Sequence, residues 1–185
     1  MNSFEAIIEI QKQLSNLEHD YWKDNVVFSL NWWFLLVLLI APWFIWWKFV
    51  DKKNIKQILL YGTYIMVVSS TLDDLGIATA LWAYPYQLFQ VGDRLNSVDL
   101  TALPILYMLV YQYFPKWKSF IISSIIFSFF YAFIFEPFFI LLGIYRIIKW
   151  KYIYSFPIYI IMGIVGKFFV EKIDKVSKSY WCFTK

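Results

Sequence analysis

Cysteine and histidine are nearly missing from these 185 residues, with one of each, Cys182 and His19. A single cysteine excludes a disulfide-stapled secreted module, and one of each cannot assemble a common structural zinc site. Six glycines, at positions 62, 76, 92, 143, 163 and 166, form no phosphate-cradling loop. No metal or cofactor is therefore expected. Charge is scarce as well: 16% of residues are Asp, Glu, Lys or Arg, against about 25% in an ordinary soluble domain. What fills the chain instead is apolar. Hydrophobic residues make up 61%, with 19 Phe, 14 Tyr and 10 Trp, and the mean hydropathy is +0.56. Seventeen basic and thirteen acidic residues cannot cover the surface of a soluble fold of this length while so many aromatic rings are hidden. The solvent for most of the surface is therefore lipid, which excludes a soluble enzyme and a disordered tail.

The apolar runs are continuous rather than alternating, so they fit helices and not the strands of an outer-membrane barrel. Val26–Trp47, Gln57–Leu72, Leu100–Phe114, Ser119–Phe135 and Tyr152–Gly166 contain no charged residue. They predict an all-α fold, a polytopic helical membrane bundle of about five transmembrane helices over 26–47, 57–82, 99–115, 119–145 and 152–169. An N-terminal amphipathic helix precedes them. The domain reading is an interfacial helix over 1–24, a bundle over 25–170 and a basic cytoplasmic tail over 171–185. The fourth span is too long for one untilted crossing. Pro137 inside it removes a backbone donor and is expected to kink it or to split off a re-entrant piece.

Cytoplasmic loops near spans are enriched in Lys and Arg. Placing the N-terminus outside puts Lys48, Lys52, Lys53, Lys56, Lys116, Lys118, Lys167, Lys172, Lys175, Lys178 and Lys185 inside. It leaves Lys12, Lys23, Arg94, Arg146, Lys149 and Lys151 outside. The bias favours an outer N-terminus and a cytoplasmic C-terminus. It also accounts for the net charge of +4 without nucleic acid, since no aromatic and basic platform for bases is present. The tryptophans at 22, 32, 33, 43, 46, 47, 82, 117, 150 and 181 fall near span ends, as an interfacial belt places them. In the N-terminal segment Ile7, Ile10, Leu14, Leu17 and Tyr21 line one helical face, and Asn2 with Glu5 suits its cap. That face either lies on the lipid bilayer or docks a membrane-protein partner. His19 reads as a solvated surface residue.

The chemistry-bearing feature is a set of acids where lipid disfavours them. Counted from Ile58, Asp73 lies about 22 Å up its helix, and Glu136 reaches about 25 Å counted from Ser119. Asp99 opens the third span from the same side. Asp73, Asp74, Asp99 and Glu136 are thus expected in one layer near the outer leaflet, with Arg94 and Arg146 as counter-charges. An unpaired acid at the membrane centre costs at least about 2.5 kcal/mol, so such residues face a partner or a wet cavity. The bland alternative has Asp99 capping its helix, and Ser70 or Thr71 capping a short helix that begins with Asp73 and Asp74. Glu136, set between Phe133–Phe135 and Pro137–Phe139, is expected to be buried, and partnered or protonated.

The stretches TLDDLGIATALWAYPYQLFQ (71–90), DLTALPILYMLVYQYFPKWKSF (99–120), FEPFF (135–139) and YSFPIYI (154–160) resemble a family of small multi-spanning membrane proteins of spore-forming Firmicutes. The resemblance implies a bacterial plasma-membrane location and brings no activity or functional residues with it. Two function classes remain open. One is a non-enzymatic transporter-like, channel-like or scaffold component whose acids form a proton or cation site. The other is an intramembrane enzyme acting with these acids on an isoprenoid or other lipid, by analogy to small membrane-bound cyclases.

Overall fold

Uncharged apolar stretches of about twenty residues become helices because nothing but the backbone itself can satisfy their amide groups once the side chains leave water. The computed structural model describes residues 2–90 and 94–183, so Lys185 lies outside the described residues, as do the side chains of Trp181 and Cys182. The described residues are all-α apart from one two-residue strand pair. Helix α1 (Ser3–Tyr21) is followed by a π-helical turn (Trp22–Val26), α2 (Leu30–Phe49), α3 (Ile55–Ala78) and strand β1 (Trp82–Ala83). A second π turn (Val98–Ala102) opens α4 (Leu103–Tyr113). A third (Tyr131–Phe135) joins α5 (Trp117–Phe130) to α6 (Glu136–Leu141), and strand β2 (Arg146–Ile147) and α7 (Tyr152–Phe183) complete the fold.

Four helical segments are long and apolar enough to cross a membrane: Leu30–Phe49, Ile55–Ala78, Trp117–Leu141 and Tyr152–Ser179. The expected third span is the exception. Its helix occupies 98–113, about 24 Å at about 1.5 Å per residue, which is short of a hydrocarbon core about 30 Å thick. It is short because its start is inside the bundle: Leu95, Asn96, Ser97, Val98, Asp99 and Thr101 are all buried. Each of the four segments exposes large apolar side chains, with Leu30 89%, Leu141 85% and Phe44 73% exposed. Surface of this kind belongs against lipid or protein rather than water.

Pro137 neither breaks the bundle nor makes a re-entrant helix. The helix continues through Trp117–Leu141, with the third π turn ending two residues before the proline. Proline lacks the N–H that an α-helix would bond to the carbonyl four residues back, and its ring crowds that carbonyl. Widening the preceding turn relieves both problems. The second π turn stands in the same relation to Pro104.

The two helices that carry central acids end alike. After α3, Ala80 takes a left-handed conformation (φ 52°), with its N–H donating to Ile77 O and that of Leu81 to Gly76 O. After α6, Gly143 does so (φ 72°), with its N–H donating to Ile140 O and that of Ile144 to Phe139 O. Each is a Schellman closure, and each delivers the chain into a strand. The strands pair antiparallel with Trp82 opposite Ile147 and Ala83 opposite Arg146. The helix ends Ala78 and Leu141, the left-handed residues Ala80 and Gly143, the paired residues Ala83 and Arg146 and the acids Asp73 and Glu136 are each 63 positions apart. The chain therefore builds one unit twice: helix, lysine-bearing turn, acid-bearing helix, left-handed cap, strand. Helix α7 then returns alongside.

Close approach at glycines holds α7 and α4 to α3. A Cβ on Gly166 would come within 2.7 Å of the Tyr64 ring, and one on Gly62 within 2.4 Å of Met108 Sδ. Tyr61 donates through its hydroxyl to Gly163 O (3.1 Å), and Tyr107 to Tyr159 O (2.7 Å). The basic stretch from 171 continues α7, which runs to Phe183.

Candidate functional site: a cavity of carboxyls and aromatic rings

Beneath the β1–β2 pair lies a cavity of about 270 Å³, and Asp73, Asp99 and Glu136 all line it. Three elements bring them there. Asp73 sits in the last two turns of α3, Asp99 in the π turn that opens α4, and Glu136 directly after the π turn that precedes Pro137. All three residues are buried. No Lys, Arg or His is among the residues lining the cavity.

Asp73 is the best-satisfied of the three. Its Oδ1 accepts from Trp82 Nε1 (2.8 Å) and the Tyr84 hydroxyl (2.6 Å), and its Oδ2 accepts from Leu95 N (3.3 Å). Three donors thus converge on one carboxyl and fix its position. The carboxyl of Asp99 is its neighbour, yet Asp99 Oδ2 is buried without a hydrogen-bond partner among the described residues. Glu136 Oε1 accepts from the Tyr159 hydroxyl (2.8 Å), and its Oε2 is likewise buried and unpartnered among the described residues. Buried polar atoms are normally satisfied, so two open carboxyl oxygens in one cavity call for an occupant.

The walls are aromatic, and their rings meet in pairs. Trp82 meets Trp150 edge-on at 5.1 Å, Tyr84 stacks on Tyr145 at 5.4 Å, and Tyr131 meets Tyr159 edge-on at 5.0 Å. Gly76 makes the first pair possible: a Cβ there would fall 1.9 Å from a Trp82 ring carbon, so only glycine lets the indole lie on α3 within reach of Asp73. Trp150 Nε1 donates to Ser155 Oγ (2.9 Å). Tyr84 belongs to the connection after α3, and burial, reinforced by the facing Asp73 and Asp99, holds its hydroxyl well above the ordinary tyrosine value. It thus remains a donor across the physiological range. No family model, curated protein or solved structure matches this chain.

The remaining expected site residues are elsewhere. Asp74 is exposed on the outside of α3, about 100° around the helix from Asp73, and pairs with Arg94 at 3.3 Å. Neither lines the cavity. Arg146 is exposed in β2, where its backbone pairs with Ala83. The counter-charge expected from Arg94 or Arg146 therefore does not line the cavity: Arg146 is turned outward, whereas Arg94, with its Nε buried, stands close enough to Asp99 to act on its charge from behind the lining. The capping alternative is overturned too: α3 runs unbroken through Ser70–Asp74, and Asp99 lies within a helical turn whose cap residue is Ser97. The rings at 82, 84, 131, 145, 150 and 159 are not distinguishable in the sequence from belt residues. The one available signal is the two-residue spacing of Trp82 and Tyr84, which puts both on one side of an extended segment.

A second cavity, also about 270 Å³, lies between the N-terminal segment and the connection after β1, and Tyr84 lines both. The N-terminal segment is tied down there by Trp22 Nε1 donating to Gln87 O (3.2 Å) and by a 2.7 Å contact between His19 Nδ1 and Gln90 Oε1. His19 is thus not merely solvated. The remainder of α1 buries no residue.

Proposed function

We propose that this chain is an integral protein of a bacterial plasma membrane, of the non-enzymatic transporter-like class, and that its carboxyl cavity binds a cation in exchange with a proton. The observation that carries the reading is the union of three carboxyls in one cavity with no basic lining residue. Like charges confined together out of water do not all ionise, so the site holds a proton until a cation replaces it. Intramembrane acids of this kind mark ion and proton pathways.

The orientation that fits has the β1–β2 end outside. The turns at the other end, between α2 and α3 and between α4 and α5, carry Lys52, Lys53 and Lys116, with Lys48, Lys56 and Lys118 beside them. The outer end keeps Lys12, Lys23, Arg94, Arg146, Lys149 and Lys151, six against ten once Lys167, Lys172, Lys175 and Lys178 of α7 are counted at the other end. The exposed apolar face of α1 lies on the outer membrane surface, with lipid as its partner.

Glu136→Gln tests the reading because it preserves shape and removes the proton. In proteoliposomes containing a pH-sensitive dye, an imposed inward cation gradient drives proton efflux through the unaltered chain, and the variant loses it while inserting normally. Equal flux through both would overturn the proposal. The enzymatic alternative makes a different forecast, an altered lipid extract from cells producing the chain, and such a change would also overturn it.

A further inference from the structure

We infer that the cavity takes a small organic ammonium, an apolar body bearing one positive nitrogen, and neither a metal ion nor an anion. This deepens the proposed cation reading and rests on it. The first ground is the two unpartnered acceptors. Asp99 and Glu136 are 6% and 8% exposed, both line the cavity, and Asp99 Oδ2 and Glu136 Oε2 receive no hydrogen bond among the described residues. Trp82 and Tyr84 are engaged with Asp73 and Tyr159 with Glu136, and the other donors beside Asp99 and Glu136 among the described lining residues are the hydroxyls of Ser69 and Ser155. What the cavity offers a ligand is acceptor oxygen, which suits an N–H or a positive charge and repels an anion.

The second ground is the spread of the carboxyls. Among the described residues no group of three His, Cys, Asp or Glu is arranged to hold a metal ion. A hard cation needs several oxygens at about 2.0–2.6 Å. These acids instead line a space of about 270 Å³, far more than a single water or bare ion fills. Asp73 and Asp99 adjoin and Glu136 comes from another helix, so a cation that reaches both the pair and Glu136 has to be larger than a bare ion, as a nitrogen bearing apolar substituents is.

The third ground is the walls. Three ring pairs from Trp82, Tyr84, Tyr131, Tyr145, Trp150 and Tyr159 surround the space. Aromatic faces attract alkylammonium groups through their quadrupole, and the attraction grows when water is excluded. Apolar rings also cover the hydrocarbon part, which acids alone would leave unmatched.

The test uses the purified full-length chain in detergent micelles, with binding read by calorimetry and by thermal unfolding. The probes are trimethylphenylammonium, the uncharged isostere tert-butylbenzene, potassium and magnesium. Trimethylphenylammonium is expected to bind at least about tenfold more tightly than the isostere, the gap that one desolvated cation–π contact and a carboxylate supply. Glu136→Gln and Asp99→Asn, each checked for native helicity, should each weaken it about tenfold or more. Equal binding of the isostere would overturn the inference, as would ammonium binding unchanged in both variants. A response to magnesium or potassium with none to the ammonium would also overturn it while leaving the cation reading intact. No response to any cation, together with proton flux unchanged in Glu136→Gln, would remove both.

Discussion

Asp73 and Asp74 share a peptide bond and little else. One is buried and accepts three hydrogen bonds in the cavity. The other is exposed and meets Arg94 in a surface ion pair, a kind of contact that contributes about 0–1 kcal/mol. Helical geometry separates them, because consecutive side chains diverge by about 100°. The fate of Asp73 in turn depends on a residue with no side chain. Gly76 leaves the space that the Trp82 indole occupies, and that indole supplies one of the carboxyl's donors. Gly76→Ala is therefore expected to expel Trp82, cost about 1–3 kcal/mol through overpacking and break the hydrogen bond to Asp73. Thermal unfolding in micelles reads the first effect. For the second, the 82-dependent tryptophan emission, isolated by comparison with Trp82→Phe, should move towards that of an exposed indole. A stability unchanged within about 0.5 kcal/mol would contradict this.

At the scale of elements, proline and π turn act together. Pro104 and Pro137 each come after a widened turn, and each of those turns bears on the cavity: one contains Asp99, and the other places Tyr131 and leads directly into Glu136. A widened turn inserts an extra residue and re-aims the side chains beyond it, which turns a helix-breaking residue into a means of directing an acid inward. Helix α1 is the opposite case, an element that positions nothing in the core. It buries no residue, and Phe4, Ile7, Ile10, Leu14 and Leu17 are all exposed, so its apolar face depends on an external surface. A chain beginning at residue 23 is expected to insert and to retain the unfolding midpoint of the full chain within about 3 °C, in line with a change below about 1 kcal/mol. Leu14→Asp in a synthetic peptide of residues 1–22 should weaken its partition onto lipid vesicles at least about tenfold, since a charge replaces a buried aliphatic group. A large loss of stability in the shortened chain would show instead that α1 braces the bundle.

For the whole molecule, the doubled unit explains why the two acid-bearing helices end together under one strand pair. Both run the same way, both close on a left-handed residue, and the strands they deliver pair across the cavity. The lysine-bearing turns consequently gather at the other end. If that end is cytoplasmic, Lys53→Cys in intact cells should resist a membrane-impermeant maleimide added outside and react once the membrane is permeabilised. Reaction before permeabilisation would reverse the orientation and move the cavity to the cytoplasmic leaflet.

Composition and run length alone determined the fold class, because 61% hydrophobic residues in uncharged runs can satisfy both side chain and backbone only as packed helices in an apolar solvent. The same arithmetic made Asp73, Asp99 and Glu136 legible as a layer, since rise per residue converts sequence position into depth without any knowledge of neighbours. Depth says nothing about azimuth, so Asp74 could not be separated from Asp73, nor Arg94 and Arg146 from the cavity. The stretch over 99–115 falls short of a full span for a related reason: apolarity marks what is buried but does not tell lipid from protein, and α4 begins against protein. Only the tertiary structure decided which rings face inward, because Trp82 and Tyr159 differ from belt aromatics solely in what they touch. It also decided that the carboxyls would share a cavity with no basic residue in its lining, since that outcome depends on two Schellman closures and a strand register that bring residues 63 positions apart to the same place.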